Sequence, residues 1–196
     1  MLSDVALLGA PTARTRAYLS ALRDAGLCPA KVILSATPAS PEPLEFVDLA
    51  RSAGADVTTV VAADINEPAV VAAVRACGLP YVVFSGPPGA IVREPLFATG
   101  CKFIHAHPGR LPDFRGSTTI YYSLLAENAV EASALFLDPD IDAGPVLGRA
   151  CFDPPEDRRL VDGGYDPEIR AKLLVSVLCD YKQRGHFESI SQVGVG

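Results

Sequence analysis

Two of the three histidines in this chain, His105 and His107, stand two residues apart, with Pro108 directly behind them. The run into them, Lys102 to Ala106, reads as a short strand, and a period of two puts both imidazoles on one face. Imidazole titrates near neutrality, so a pair at a strand end is a candidate for proton transfer. His-x-His is also metal-ligand spacing, and zinc would need a third ligand, which Asp142 or Asp140 could supply. No second His or Cys cluster supports that reading, so no metal is expected. A second cluster lies in Leu137-Asp138-Pro139-Asp140-Ile141-Asp142-Ala143-Gly144-Pro145, with three acids in five residues. Alone, such a stretch is turn chemistry. A carboxylate beside a histidine, however, fixes its tautomer and raises its basicity, and acyl transfer uses that pairing.

These residues need a scaffold, and the pattern before them supplies one. Apolar strand-like runs, Asp4 to Gly9, Lys31 to Leu34, Asp56 to Val61, Tyr81 to Phe84 and Lys102 to Ala106, alternate with helical stretches. Thr12 is the expected cap of the first helix and Asn66 that of the third. The second helix, Leu44 to Ala53, should bury Phe46, Leu49 and Ala53. The loop Ala36 to Pro43 carries three prolines. Continuous apolar strands separated by helices predict an α/β fold: a doubly wound, mostly parallel, Rossmann-like sheet with helices on both faces. Ligands in such sheets sit beyond the carboxyl ends of the strands, which is where His105 and His107 fall.

The pattern changes after Gly116. A helix over Thr118 to Ala126 is followed by two strands, Ala132 to Leu137 and Pro145 to Phe152, around the acidic turn. Asp153 to Tyr165 reads as a polar stretch. Asp166-Pro167 starts a last helix with Ile169, Leu173, Val177 and Tyr181 on one face. One catalytic domain over residues 1–185 is expected, with 186–196 a flexible tail.

Composition limits the function. The net charge is −6, from 17 Lys+Arg against 23 Asp+Glu, without a basic run. Nucleic-acid binding by counterion release needs clustered positive charge, so no nucleic-acid partner is expected. No apolar run approaches the length of a membrane span, and no charged leader precedes the first strand. Five scattered cysteines without CxxC spacing read as free thiols, so a cytoplasmic protein is expected. Oligomeric state is not legible.

The run His105-Ala106-His107-Pro108-Gly109-Arg110-Leu111-Pro112-Asp113-Phe114-Arg115-Gly116 resembles the signature Asn-x-His-Pro-x-x-Leu-Pro-x-x-x-Gly of the folate-dependent formyltransferases. Asp140-Ile141-Asp142-Ala143-Gly144-Pro145-Val146-Leu147 resembles its partner block, Asp-x-Gly-Pro-Ile after a hairpin strand. The resemblance is clear from about Tyr81 to Phe152. It implies transfer of a formyl group from N10-formyltetrahydrofolate, the co-substrate, to a small-molecule amine. On that basis His107 assists proton transfer at the tetrahedral intermediate, and Asp142 orients and charge-stabilises its ring. His105 takes the place of the family's asparagine and faces the developing oxyanion. Folate contacts carry over to Phe84, Ser85, Gly86 and Ile91 after the fourth strand, and to Asp140 and Ile141.

Three features depart from the family: His105 itself, the turn Gly9-Ala10-Pro11-Thr12 where the glycinamide-ribotide members bind phosphate, and a length too short for the nucleic-acid-binding barrel of the methionyl-tRNA members. Three alternatives remain: a hydrolase releasing formate, an enzyme using a different acyl donor, and a non-catalytic folate-binding module.

Overall fold

The computed structural model describes residues 1–38, 43–116 and 118–192. Pro41, in the expected proline loop, lies outside them. The chain divides into two compact units, Met1–Ile104 and His105–Gly196.

The first unit is a parallel sheet with crossing helices. It comprises β1 (Leu2–Gly9), α1 (Ala13–Asp24), β2 (Pro29–Ala36), α2 (Leu44–Ser52), β3 (Asp56–Val61), α3 (Pro68–Cys77), β4 (Tyr81–Ser85), α4 (Glu94–Phe97) and the start of β5 (Lys102–His107). The order is β3-β2-β1-β4-β5, and every pair is parallel. Connections run outward from β1 to β3, then return past β1 to β4 and β5. Right-handed crossovers therefore put α1 and α2 on one face and α3 and α4 on the other. In agreement, α1 packs on α2 and α3 on α4. The expected doubly wound, mostly parallel α/β fold is the one found.

The core of this unit includes the apolar run of β1, Val5, Ala6, Leu7 and Leu8, and Tyr18, Leu19 and Leu22 of α1, all buried. Each large side chain so buried contributes about 1.5–3 kcal/mol. Thr12 caps α1, its side chain accepting from the Thr15 N–H. Two local expectations fail. The N-cap of α3 is Glu67 rather than Asn66. Asn66 instead donates to the Ile91 carbonyl and accepts from the Arg93 N–H, tying down the loop after β4. In α2 the buried residues are Phe46, Val47 and Ala50. Ala53 ends the helix as its C-cap, so the expected stripe was out of phase.

The second unit begins with the end of β5 and continues through α5 (Thr119–Ala126), β6 (Val130–Phe136), β7 (Val146–Phe152) and α6 (Asp166–Arg184). β6 and β7 form an antiparallel pair. Leu173 and Val177 of α6 pack on Ala132 and Ala134 of β6. Gly148 permits this approach, because a Cβ there would lie 2.9 Å from the Val177 side chain. The stretch expected to be merely polar holds a 3-10 turn, Arg158–Leu160, and a π turn, Val161–Tyr165. Val161 is fully buried with Ile120, Leu124, Val130 and Ile169. Val161 stands beside Leu160, which is exposed, and two adjacent apolar residues have no period that could tell the buried one from the other.

The segment expected as a flexible tail is held as far as Gln192. Ile190 exchanges two 2.8 Å backbone hydrogen bonds with Val146, and Phe187 stacks on Tyr181. Residues 193–196 of that tail lie outside the described ones. No described helix is long and apolar enough to cross a membrane.

Candidate active site

β5 ends at His107, and its alternation turns His105 and His107 to one side, with ring centroids 6.5 Å apart. The next nine residues fold back over the His107 ring. Its Nε2 lies 2.7 Å from the Phe114 carbonyl oxygen. A carbonyl only accepts, so Nε2 carries the proton and donates. Thr119 donates its hydroxyl hydrogen to the Pro108 carbonyl and leaves its oxygen 3.3 Å from the same nitrogen. The fold-back is fastened by buried Ser133 of β6, which accepts from the Leu111 N–H and donates to the Gly109 carbonyl. Gly109 is obligatory here. A Cβ would sit 2.8 Å from His107 Nε2, 2.9 Å from the Phe114 oxygen and 2.9 Å from Thr119 Oγ1.

With Nε2 occupied, Nδ1 is the ring nitrogen left with its lone pair. It faces Asp142 Oδ2 at 3.4 Å, with the His107 side chain 3% and the Asp142 side chain 10% exposed. The carboxylate is held by its own turn. Asp142 adopts φ 52°, a left-handed conformation that Asp tolerates better than most residues. Oδ2 accepts from the Gly116 N–H at 2.9 Å. Gln192 donates to the carbonyls of both Asp142 and Gly144. Gly144 itself lies so close to the Phe136 carbonyl that no side chain fits.

Burial pushes the His107 imidazole below its ordinary pKa, while the Asp142 carboxylate opposes that shift and Arg170 adds slightly to it. The ring is therefore neutral at pH 7, with one nitrogen fixed as donor and the other free to accept a proton beside a carboxylate. Arg170 is held by Asp166 at 2.8 Å and donates to the Ala106 carbonyl. This arrangement can take a proton at Nδ1, stabilise the resulting charge and return it.

Comparison with known proteins bears on what that chemistry serves. No family model matches the chain. Its sequence is similar to the methionyl-tRNA formyltransferase of Chloroflexus aurantiacus, 38% identical over 90 residues, which is 44% of this chain and 28% of that protein. The chain thus spans less than a third of that relative's length. Its structure superposes on the phosphoribosylglycinamide formyltransferase of Bacillus halodurans with a TM-score of 0.69 at 18% identity, covering 93% of this chain and 96% of the other. The chain has the formyltransferase fold. A formyltetrahydrofolate deformylase from Pseudomonas syringae pv. tomato shares it, with a TM-score of 0.67 at 18% identity over 94% of this chain and 63% of that one.

Within that fold the site residues named from sequence separate by unit. His105, His107 and Asp142 come together in the second, with their ligand-type atoms within 4.8 Å of one another. Asp140 and Ile141 lie in the same unit, in the turn leading to Asp142. Ile141 is 56% exposed, and the Asp140 N–H is taken by the Asp138 carboxylate. Phe84, Ser85, Gly86 and Ile91 belong to the first unit. Phe84 and Ser85 are buried, and Ile91 is exposed. The Ser85 carbonyl accepts from the Ala10 N–H and the Thr15 hydroxyl, and the Gly86 carbonyl accepts from Arg14. Sequence reasoning missed Thr119, Ser133 and Gln192. A Ser between apolar neighbours, Ala132 and Ala134, was the one visible signal, for Ser133. Thr119 and Gln192 act across 12 and 50 residues of chain and carry no local mark.

Proposed function

We propose that the chain transfers a formyl group from N10-formyltetrahydrofolate to the amine of a small molecule. The observation that carries this reading is the buried His107–Asp142 pair, with Nε2 anchored on the Phe114 carbonyl and Nδ1 turned to the carboxylate, in a chain with the formyltransferase fold. The amine nitrogen attacks the formyl carbon, and the carbonyl electrons move onto oxygen. Nδ1 of His107 takes the proton released by the attacking nitrogen. Asp142 stabilises the imidazolium, which then protonates N10 of the folate as the C–N10 bond breaks. His105, on the same strand face, donates to the oxyanion. A donor in that place is worth about 3–4 kcal/mol of barrier. Phe84, Ser85, Gly86, Ile91, Asp140 and Ile141 are the proposed folate contacts. Those of Ser85 and Gly86 fall to groups other than their carbonyls, which are already engaged.

A small amine is preferred to an aminoacyl-tRNA because the net charge is −6 with no basic run. A second reading, hydrolysis to formate, draws support from the deformylase neighbour. In it, water takes the amine's place with the same proton path. Incubation of the enzyme with formyltetrahydrofolate and a pool of cellular amines, read by mass spectrometry, separates the two. A formylated amine that disappears with His107→Ala supports transfer. Formate alone supports hydrolysis, and an unconsumed folate rejects both.

A further inference from the structure

A proton is not the only cation that fits between His107 Nδ1 and Asp142 Oδ2. Their separation is 3.4 Å. Two ligands about 2.0–2.1 Å from a tetrahedral zinc ion stand about 3.4 Å apart. The pair is thus set at the spacing of two ligands of one metal ion. The surroundings match as well. A metal-binding histidine keeps its other ring N–H on a carbonyl or carboxylate, which fixes its tautomer. The 2.7 Å contact between Nε2 and the Phe114 carbonyl does that here. The carboxylate is oriented by the Gly116 N–H and by the Gln192 bonds to its turn.

The third donor is His105. Where the resemblance leads one to expect an asparagine, whose amide is a poor ligand for a transition metal, this chain places a second imidazole. All three donor atoms lie within 4.8 Å of one another, the one such trio among the described residues. Coordination asks the half-buried His105 ring to close in by roughly 1 Å. Arg170, a cation whose charge reaches His107, is paired with Asp166.

We propose that His105, His107 and Asp142 bind one zinc-class divalent ion, leaving at least one position open to solvent. Bound metal occupies the Nδ1 lone pair and the carboxylate on which formyl transfer depends. Metal therefore inhibits transfer, a consequence that rests on the function proposed above, whereas the binding does not.

The test is metal titration of chelator-stripped full chain, with Co2+ followed by its visible absorption and Zn2+ by calorimetry. One ion per chain with tetrahedral or five-coordinate Co2+ absorption is expected. His105→Asn, checked for native circular dichroism, should weaken Zn2+ about a hundredfold or more, since even loss of a residue behind the ligands costs 10–100-fold. Asp142→Asn should do likewise. His186→Asn, at the exposed third histidine, should bind as wild type. Binding that survives both His105→Asn and Asp142→Asn, or that is lost on Cys151→Ser at the exposed thiol, overturns the site, as does no binding at micromolar metal. In an activity assay, Zn2+ should lower the wild-type rate and leave the ratio of rates with and without zinc near one in His105→Asn. Zinc bound without any transfer activity would reject the function and keep the site.

Discussion

Gly109→Ala is a one-methyl perturbation whose cost can be worked from the structure. The backbone there is not left-handed, so alanine brings no torsional strain, and the effect is steric. The added Cβ falls 2.8 Å from His107 Nε2, 2.9 Å from the Phe114 oxygen and 2.9 Å from Thr119 Oγ1. No rotation of one flexible group relieves all three, because one is backbone and another is a ring held on both sides. Overpacking of this kind costs about 1–3 kcal/mol. Relief by separating Nε2 from the Phe114 carbonyl leaves a buried donor unsatisfied, at about 1–3 kcal/mol more. A loss of about 2–6 kcal/mol follows. With a urea slope of about 2 kcal/mol/M, the midpoint should fall by about 1–3 M. Gly163→Ala is the control, since a Cβ there meets nothing within 4 Å, and it should stay within about 0.5 kcal/mol of wild type. Urea unfolding followed by circular dichroism reads both. If Gly109→Ala unfolds with the wild type, or Gly163→Ala falls as far, the fold-back over His107 is not packed as described.

His105→Ala should lower kcat about 10²–10³-fold with little change in folate affinity, and His105→Asn should recover much of it, since the amide donates where imidazole did. Loss of folate binding instead would make His105 a pocket wall. Asp142→Asn should lower kcat nearly as much as His107→Ala, because the amide cannot stabilise an imidazolium; a wild-type kcat would make Asp142 a turn residue only. In metal-free enzyme the acid limb of kcat/KM should have its midpoint below 6.5, the ordinary histidine value, because burial lowers the His107 pKa. Asp142→Asn removes the opposing carboxylate and should move the limb further to acid; a wild-type limb above 6.5 contradicts the direction. The same shift acts on stability. The unfolded chain takes up its proton first, so this group's contribution is lost as pH falls from 6.5 toward the folded value. Gln192→Ala removes two hydrogen bonds, of 2.8 and 2.7 Å, from the Asp142 turn. It should cost about 1–2 kcal/mol and lower kcat more than it raises KM, which kinetics and urea unfolding of one preparation would decide.

What the sequence disclosed follows the range of the forces involved. The strands of the first unit are continuous apolar runs, so their existence and order of appearance were legible, and β3 was placed to the residue. Thr12 was found because a cap acts over three residues. Asn66 was misassigned because its partners Ile91 and Arg93 lie about a quarter of the first unit away along the chain. The α2 stripe failed where a short helix gives too few turns to fix its phase. Alternation along a strand was enough to put His105 and His107 on one face. That Nε2 of His107 is the anchored nitrogen was not legible, because it depends on where the Phe114 carbonyl ends up.

The position of Asp142 shows the same division within a single residue. Its turn is written in plain turn chemistry, Asp, Pro and Gly, and such a stretch by itself predicts only a reversal of the chain. Two distant constraints and one within the hairpin convert that reversal into a fixed carboxylate: the Gly116 N–H on Oδ2, Gln192 on the Asp142 and Gly144 carbonyls, and the Phe136 carbonyl close against Gly144. Once the carboxylate and the tautomer are both fixed, the space between Asp142 and Nδ1 accepts positive charge and little else. Whether that charge is a proton in transit or a resident ion depends on the number of donors that surround it. Two donors, the ring and the carboxylate, serve a proton. On the proposal above, His105 is the third donor, and replacing that one ring should change which cation the site prefers.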